Sequence, residues 1–265
     1  MYQFNYLKPT SLSEAAAILA ANSDAKLLAG GQTLIAAMKF RLASPSDLID
    51  LNAIPDLKGI KVDGGVITIG AMTRHAEVAR SEAIAKSIPA LSLLAGCIGD
   101  RMIRNMGTLG GSVANNDPGA DYPAAVVGLN ATVNTNKRKI AADAFFTGMY
   151  ETALAPDEVI VSVSFPIPKR AGYMKFRNQA SRYALVGVMV SEGADGVRVA
   201  VTGAAPSVFR VPAMETALSS NFSAAALENI KVPAHDLSSD MHASADYRAH
   251  LVAVMAKRAV GVALG

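Results

Sequence analysis

The chain has 265 residues, of which 51% are hydrophobic and 18% charged, and its formal net charge is +3. Disorder is excluded by the plentiful aliphatic residues and low charge, and so small a net charge gives no argument for a nucleic-acid partner. A single cysteine, Cys97, excludes an internal disulfide framework, a cysteine-built zinc site and any iron–sulfur cluster ligated by this chain alone. The length suits one large domain or two ordinary ones. The opening MYQFNYLKPTS has no basic region followed by an apolar core, and no apolar run reaches the roughly 18 residues of a membrane span. A cytoplasmic protein is expected. Its mean hydropathy of +0.27 comes from scattered alanine and valine, which points to a dense core or buried subunit contacts.

Ser11 with Glu14 forms a capping box before Ala15, Ala16, Ile18 and Leu19, predicting a helix over about 11–21. Residues 25–29 read as a buried strand. Gly30, Gly31, Gln32 and Thr33 then turn into a helix carrying Leu34, Ile35, Ala37 and Met38. A second buried strand is expected over 48–51, and a β-rich subdomain from about 56, where Asp63-Gly64 supplies a hairpin turn. Residues 73–96 read as mostly helical, with Thr73 as N-cap and Pro89 opening a second helix. The stretch 107–123 holds four glycines and two prolines and is expected to be a long structured loop, with Asp121 capping the helix that follows. Strands over 131–135, 138–142 and 159–165 lead to a boundary at 166–172. Beyond it, three strands joined by Gly193 and Asp195-Gly196 turns precede helices near 212–219, 223–229 and 246–263. This is α+β order.

Two segments pair glycines with a hydroxyl: Ala29-Gly30-Gly31-Gln32-Thr33 and Thr108-Leu109-Gly110-Gly111-Ser112. Such turns let backbone N–H groups converge on an oxyanion, so two of them can hold one diphosphate; each is equally readable as a tight turn. Neither segment is a G-x-G-x-x-G or G-x-x-x-x-G-K-[ST] fingerprint, which disfavours a Rossmann fold and a P-loop NTPase. No G-x-S-x-G elbow occurs, and His235, His242 and His250 lack the spacing of H-E-x-x-H, so no metal site is expected there.

Together, LLAGGQTL, GAMTRHAEVARSEAI, GDRMIRNMGTLGGSVANNDPGADYP, EVIVSVSFP and KFRNQASRYALVGV resemble the FAD-binding medium subunit of molybdenum hydroxylases, in the pattern of carbon monoxide dehydrogenase, with xanthine dehydrogenase more distant. The resemblance covers residues 1–205 and continues weakly to the C-terminus. It implies an α+β protein with a vanillyl-alcohol-oxidase-type (PCMH-type) FAD-binding domain over 1–170, in subdomains of about 1–55 and 56–170. A three-stranded sheet with helices over 171–265 would follow.

The implied cofactor is FAD, its pyrophosphate held by the glycine loops, here Leu28 to Leu34 and Thr108 to Ser112. Asp121 matches an acidic contact to the ribityl or adenosine side, and Ile98 with Ile160 or Val161 matches apolar positions lining the same pocket. Tyr183 matches a tyrosine near the flavin ring, and Lys175 a basic residue on the preceding strand. Two departures stand out: Gln32-Thr33 in the first loop, and Ser181-Arg182 where relatives carry glycine and aspartate. Implied partners are a 2Fe-2S small subunit and a molybdopterin-binding large subunit, in a dimer of heterotrimers. Electrons would pass from the clusters through FAD to an external acceptor. Other readings are a self-contained flavin-dependent reductase or oxidase, and a non-redox nucleotide-binding module. His75 is expected at the surface and Cys97 in the core.

Overall fold

A computed structural model describes all 265 residues. The chain opens with a small parallel sheet, β1 (Asn5–Leu7), β2 (Lys26–Leu28) and β3 (Asp47–Asp50), carrying helices α1 (Leu12–Ala21) and α2 (Leu34–Lys39). Ser11 caps α1 by accepting the Glu14 N–H, while the Glu14 carboxylate accepts the N–H of Thr10, one residue ahead of a standard box. The middle strand is β3, with Leu48, Ile49 and Asp50 buried. Strand β2 lies at an edge, so Lys26 is exposed and only the preceding Ala25 is buried, less than the sequence suggests.

A five-stranded antiparallel sheet follows, ordered β4-β5-β10-β6-β7, from β4 (Ile60–Asp63), β5 (Val66–Gly70), β6 (Thr132–Thr135), β7 (Lys139–Ala141) and β10 (Ile160–Pro166). A short helix α9 (Ala142–Phe145) and a two-stranded hairpin, β8 (Phe146–Gly148) and β9 (Glu151–Thr152), precede the last of these. The β4–β5 turn is Gly64-Gly65, at φ +54° and +81°, one residue later than predicted; a type I′ hairpin turn needs positive φ at both central positions.

Between β5 and β6 run α3 (His75–Arg80), α4 (Glu82–Ser87), α5 (Pro89–Gly96), α6 (Arg101–Met106), α7 (Leu109–Asn115) and α8 (Tyr122–Gly128). Thr73 does not cap α3, because its hydroxyl is committed to both the N–H and the carbonyl of Gly59 at 3.1 Å. Arg74 holds the cap position, its N–H donating to Glu77. The expected loop at 107–123 contains α7, capped by the Thr108 hydroxyl. Its glycines serve close packing: a Cβ on Gly110 would lie 2.5 Å from Ala71 Cβ. Burying that contact outweighs a helix-propensity cost of about 1 kcal/mol per glycine.

The C-terminal sheet is antiparallel, β11 (Arg170–Arg177), β12 (Ala184–Gly193) and β13 (Gly196–Thr202), and a short fourth strand, β14 (Phe209–Arg210), joins the three expected. Helices α10 (Pro212–Ser220) and α11 (Ala245–Leu264) cover it. Residue 170 is crossed by packing: Tyr173, Met189 and Ala200 bury themselves in the same core as Leu91, Leu94 and Tyr122. Arg248 of α11, buried, donates to the carbonyls of Leu185 and Gly203 at 2.8 Å and to Asp240 at 2.7 Å. Because α11 lies directly on β11, a Cβ at Gly172 would stand 1.9 Å from the Ala259 carbonyl oxygen. Gly172→Ala is expected to destabilise the protein by about 1–3 kcal/mol, as overpacking does, read as a lowered thermal unfolding midpoint.

Candidate functional site

Segments from the N-terminal, central and C-terminal parts of the chain line one cleft of ≈ 640 Å³, within the range of small-molecule sites. One wall is the Gly30–Thr33 turn between β2 and α2; the other is the start of α7 with Gly107. These walls touch backbone to backbone. A Cβ on Gly30 would lie 2.3 Å from the Met106 carbonyl oxygen and 2.7 Å from Gly107 Cα, and one on Gly111 would lie 3.2 Å from Ala29 Cβ.

The two loops offer different chemistry. In the second, the N–H groups of Leu109, Gly110 and Gly111 are already given to the Thr73 carbonyl, the Ala71 carbonyl and the Thr108 hydroxyl. In the first, the N–H groups of Gly30, Gly31, Gln32 and Thr33 make no hydrogen bond within the protein, and Gly31 has φ +71°. Successive free N–H groups around a left-handed residue form an anion-binding concavity. The first loop therefore supplies donors from the main chain, and the second supplies the hydroxyls of Thr108 and Ser112.

The deep wall is electrostatic. Asp121 stands at the N-cap position of α8 with helical backbone angles and caps nothing. Its carboxylate instead accepts from Tyr173 Oη at 2.6 Å and Lys175 Nζ at 2.9 Å, and the side chains of both Asp121 and Lys175 are only 4% exposed. Burial raises the Asp121 pKa above the usual carboxylate value, opposed by Lys175 and the Tyr173 hydrogen bond. Glu158 also lines the cleft, held by a bidentate pair with Arg138 and by Thr135 and the Ala155 N–H, which bring its pKa down to about 2, the Arg138 hydrogen bond foremost. At the mouth, Tyr183 packs beside Gly119, and Tyr150, at φ +56°, donates to Asp117 at 3.2 Å. Asn116 pins the Tyr150 hairpin, donating to the carbonyls of Gly148 and Glu151 and accepting the Tyr150 N–H.

Residues 2–168 match the family described as the FAD binding domain in molybdopterin dehydrogenase. The chain belongs to that family of FAD-binding medium subunits. It is 36% identical to the nicotine 6-hydroxylase medium subunit of Paenarthrobacter nicotinovorans, over 96% of this chain and 95% of that one. It is likewise 36% identical to the carbon monoxide dehydrogenase medium chain of Hydrogenophaga pseudoflava, over 98% and 97% of the two chains. A solved structure of carbon monoxide dehydrogenase from that organism superposes with a TM-score of 0.89, covering 99% of this chain and 98% of the other. The chain is thus an oxidoreductase subunit with FAD as its cofactor.

The cleft of this medium subunit fits that cofactor: a nest of unpaired N–H groups for an anion, hydroxyls opposite, and apolar Ile98, Ile103 and Ile160 between them. Of the residues singled out in the sequence, Ala29 to Leu34, Ile98, Thr108, Gly110, Gly111, Ser112, Asp121, Ile160 and Tyr183 line it. Four do not. Leu28 packs beneath Gly31, and Leu109 is fully buried in the central core. Val161 points to the N-terminal core, as strand alternation requires once Ile160 faces the cleft. Lys175 sits behind Asp121.

His75 and Cys97 exchange their expected places. Cys97 is exposed just past the end of α5. His75 is 5% exposed, its ring filling the space over Gly107, where a Cβ would meet Nε2 at 2.6 Å. Neither this nor Tyr150 carries a local sequence signal, because both places depend on chain segments distant in sequence.

Gly30→Ala is expected to force the two walls apart and lower the flavin bound per chain severalfold, read from flavin absorbance against protein concentration. The second expectation concerns acid. Burial, with a smaller push from Arg104, lowers the His75 pKa from 6.5 to about 4, so the unfolded chain binds a proton more readily than the folded one between those values. Stability is then lost as pH falls from about 6.5 to about 4. His75→Gln should flatten that part of the stability–pH curve, measured by urea unfolding at a series of pH values.

Proposed function

We propose that this medium subunit accepts electrons from 2Fe-2S clusters of a small subunit, fed in turn by a molybdopterin-binding large subunit, and passes them to an external acceptor. The observation that carries this reading is the cleft built jointly by the free N–H groups of Gly30 to Thr33 and the buried Asp121 pair. The main-chain donors would hold the FAD diphosphate without a cationic side chain, with the Thr108 and Ser112 hydroxyls closing the other side. Asp121 would accept from hydroxyls of the ribityl chain, and Ile98 and Ile160 would exclude water from the ring system. Tyr183 would cover the flavin face, and Lys175, acting through Asp121, would keep net charge out of the wall. When bound, FAD supplies chemistry that joins one-electron and two-electron steps.

No helix of the chain is long and apolar enough to cross a membrane. Exposed apolar side chains cluster on segments beside the cleft walls, Phe40 and Leu42 after α2, Met102 and Met106 on α6. Surfaces of this kind suit partner chains, in keeping with a complex of heterotrimers. One cysteine leaves the iron–sulfur ligands to a partner.

Stopped-flow mixing of the flavin-loaded chain with a dithionite-reduced two-cluster small subunit tests the proposal. Flavin absorbance near its visible maximum should bleach as cluster absorbance recovers. Steady turnover of a small reduced substrate by the isolated chain, with no electron uptake from the small subunit, would replace this reading with that of a self-contained flavin enzyme.

A further inference from the structure

Tyr173 and Lys175 project from the same face of β11, two residues apart, and both end on Asp121. Tyr173 is 1% exposed and does not line the cleft. Its hydroxyl occupies a place made for it on the neighbouring strand. Gly187 of β12 pairs with Lys175 in the sheet, and a Cβ there would fall 2.5 Å from Tyr173 Oη and 3.0 Å from Thr202 Cγ2. Gly187 lies inside a regular strand and has no positive φ, so what its missing side chain provides is room for this hydroxyl.

We infer that Tyr173 is a positioning residue of the cofactor site: seated against Gly187, it orients Asp121 so that the carboxylate presents its remaining acceptor positions to a hydroxyl-bearing ligand in the cleft. The inference rests on the reading that Asp121 faces the ribityl part of FAD. A carboxylate has about four acceptor positions. Tyr173 uses one on Oδ1 and Lys175 one on Oδ2, so one on each oxygen is left. An ionised carboxylate can only accept, so its ligand must donate; a polyol hydroxyl does so, whereas a phosphate would be repelled. Tyr173 thereby acts on the ligand through Asp121 without touching it.

The groups facing Asp121 are Lys175 and Tyr173 from β11, Tyr122 from its own helix, Cys97 after α5 and Tyr183 before β12. Lys175 is the one basic side chain among them. Removing the Tyr173 hydroxyl takes a donor from the ionised form and makes Asp121 easier to protonate. FAD binding that depends on the carboxylate should then fail at a higher pH than in the wild type.

The test is FAD and ADP binding to the full chain, by flavin fluorescence quenching and by calorimetry, across a pH series, with thermal unfolding measured alongside. Tyr173→Phe should weaken FAD binding about tenfold and move its acid limb upward, leaving ADP, which lacks the ribityl chain, unchanged. Gly187→Ala should act in the same direction by pushing the hydroxyl off Asp121. In the double variant the alanine should add less than it does alone, because its closest contact, the Tyr173 hydroxyl, is gone and the contact with Thr202 Cγ2 at 3.0 Å is left. Should Gly187→Ala fail to fold, Tyr173→Phe, which adds no atom, decides the matter alone. A Tyr173→Phe chain that melts lower but binds FAD as the wild type does, with its acid limb unmoved, would overturn the inference. A wild-type chain that takes up no FAD would overturn the cofactor reading and this inference with it.

Discussion

The molecule depends on close approaches to the main chain that only a missing side chain permits. Gly30 lies on the Met106 carbonyl, Gly110 on Ala71, and Gly107 under the His75 ring. Each contact joins segments far apart in sequence, and together they fix the distance between the two walls of the cleft. Glycine is required here for space more than for conformation, since of these three none has a positive φ. The wall that donates N–H groups is held open by the wall that has already spent its own on Thr73 and Ala71. This division explains how two similar-looking glycine segments serve unlike purposes.

The second constraint is the cost of burying charge. Asp121 and Glu158 both reach the cleft, and each is met by a cation: Lys175 for the first, Arg138 for the second. An unpaired carboxylate at such depth would carry a penalty of several kcal/mol. Pairing lets the protein keep acceptor groups at the cleft wall beside apolar Ile98 and Ile160. It also ties the C-terminal sheet to the flavin-binding units, because Tyr173 and Lys175 come from β11 while Asp121 comes from the segment before α8.

The sequence shows regular elements well where periodicity or capping is local, as at Ser11, at Pro89 and along the three long C-terminal strands. It misleads where a residue's task is set by something distant. Asp121 has the position of a helix cap, yet its carboxylate is drawn away by β11. Thr73 has the side chain of a cap, yet Gly59 claims it. Gly110 and Gly111 read as loop residues because propensity counts the lost side chain, while the benefit, contact with Ala71 for the first and with Ala29 for the second, lies far away in the chain. The same reasoning accounts for His75 and Cys97, whose burial is decided by Gly107 and by where α5 ends, and for Val161, where family resemblance left two neighbouring strand residues open and strand alternation chose Ile160.

The cleft draws its parts from all three sheet units: main-chain donors from the first, hydroxyls and apolar walls from the second, the lock on Asp121 from the third. No one unit holds all of these parts. By linkage, a ligand that binds only the assembled arrangement stabilises all three units and their mutual packing. The core that crosses residue 170, with Tyr173, Met189 and Ala200 buried among the helices of the second unit, is the physical route of that coupling. With FAD held as proposed, its binding would be linked to the docking of the C-terminal sheet, and the Asp121 wall is where the two meet.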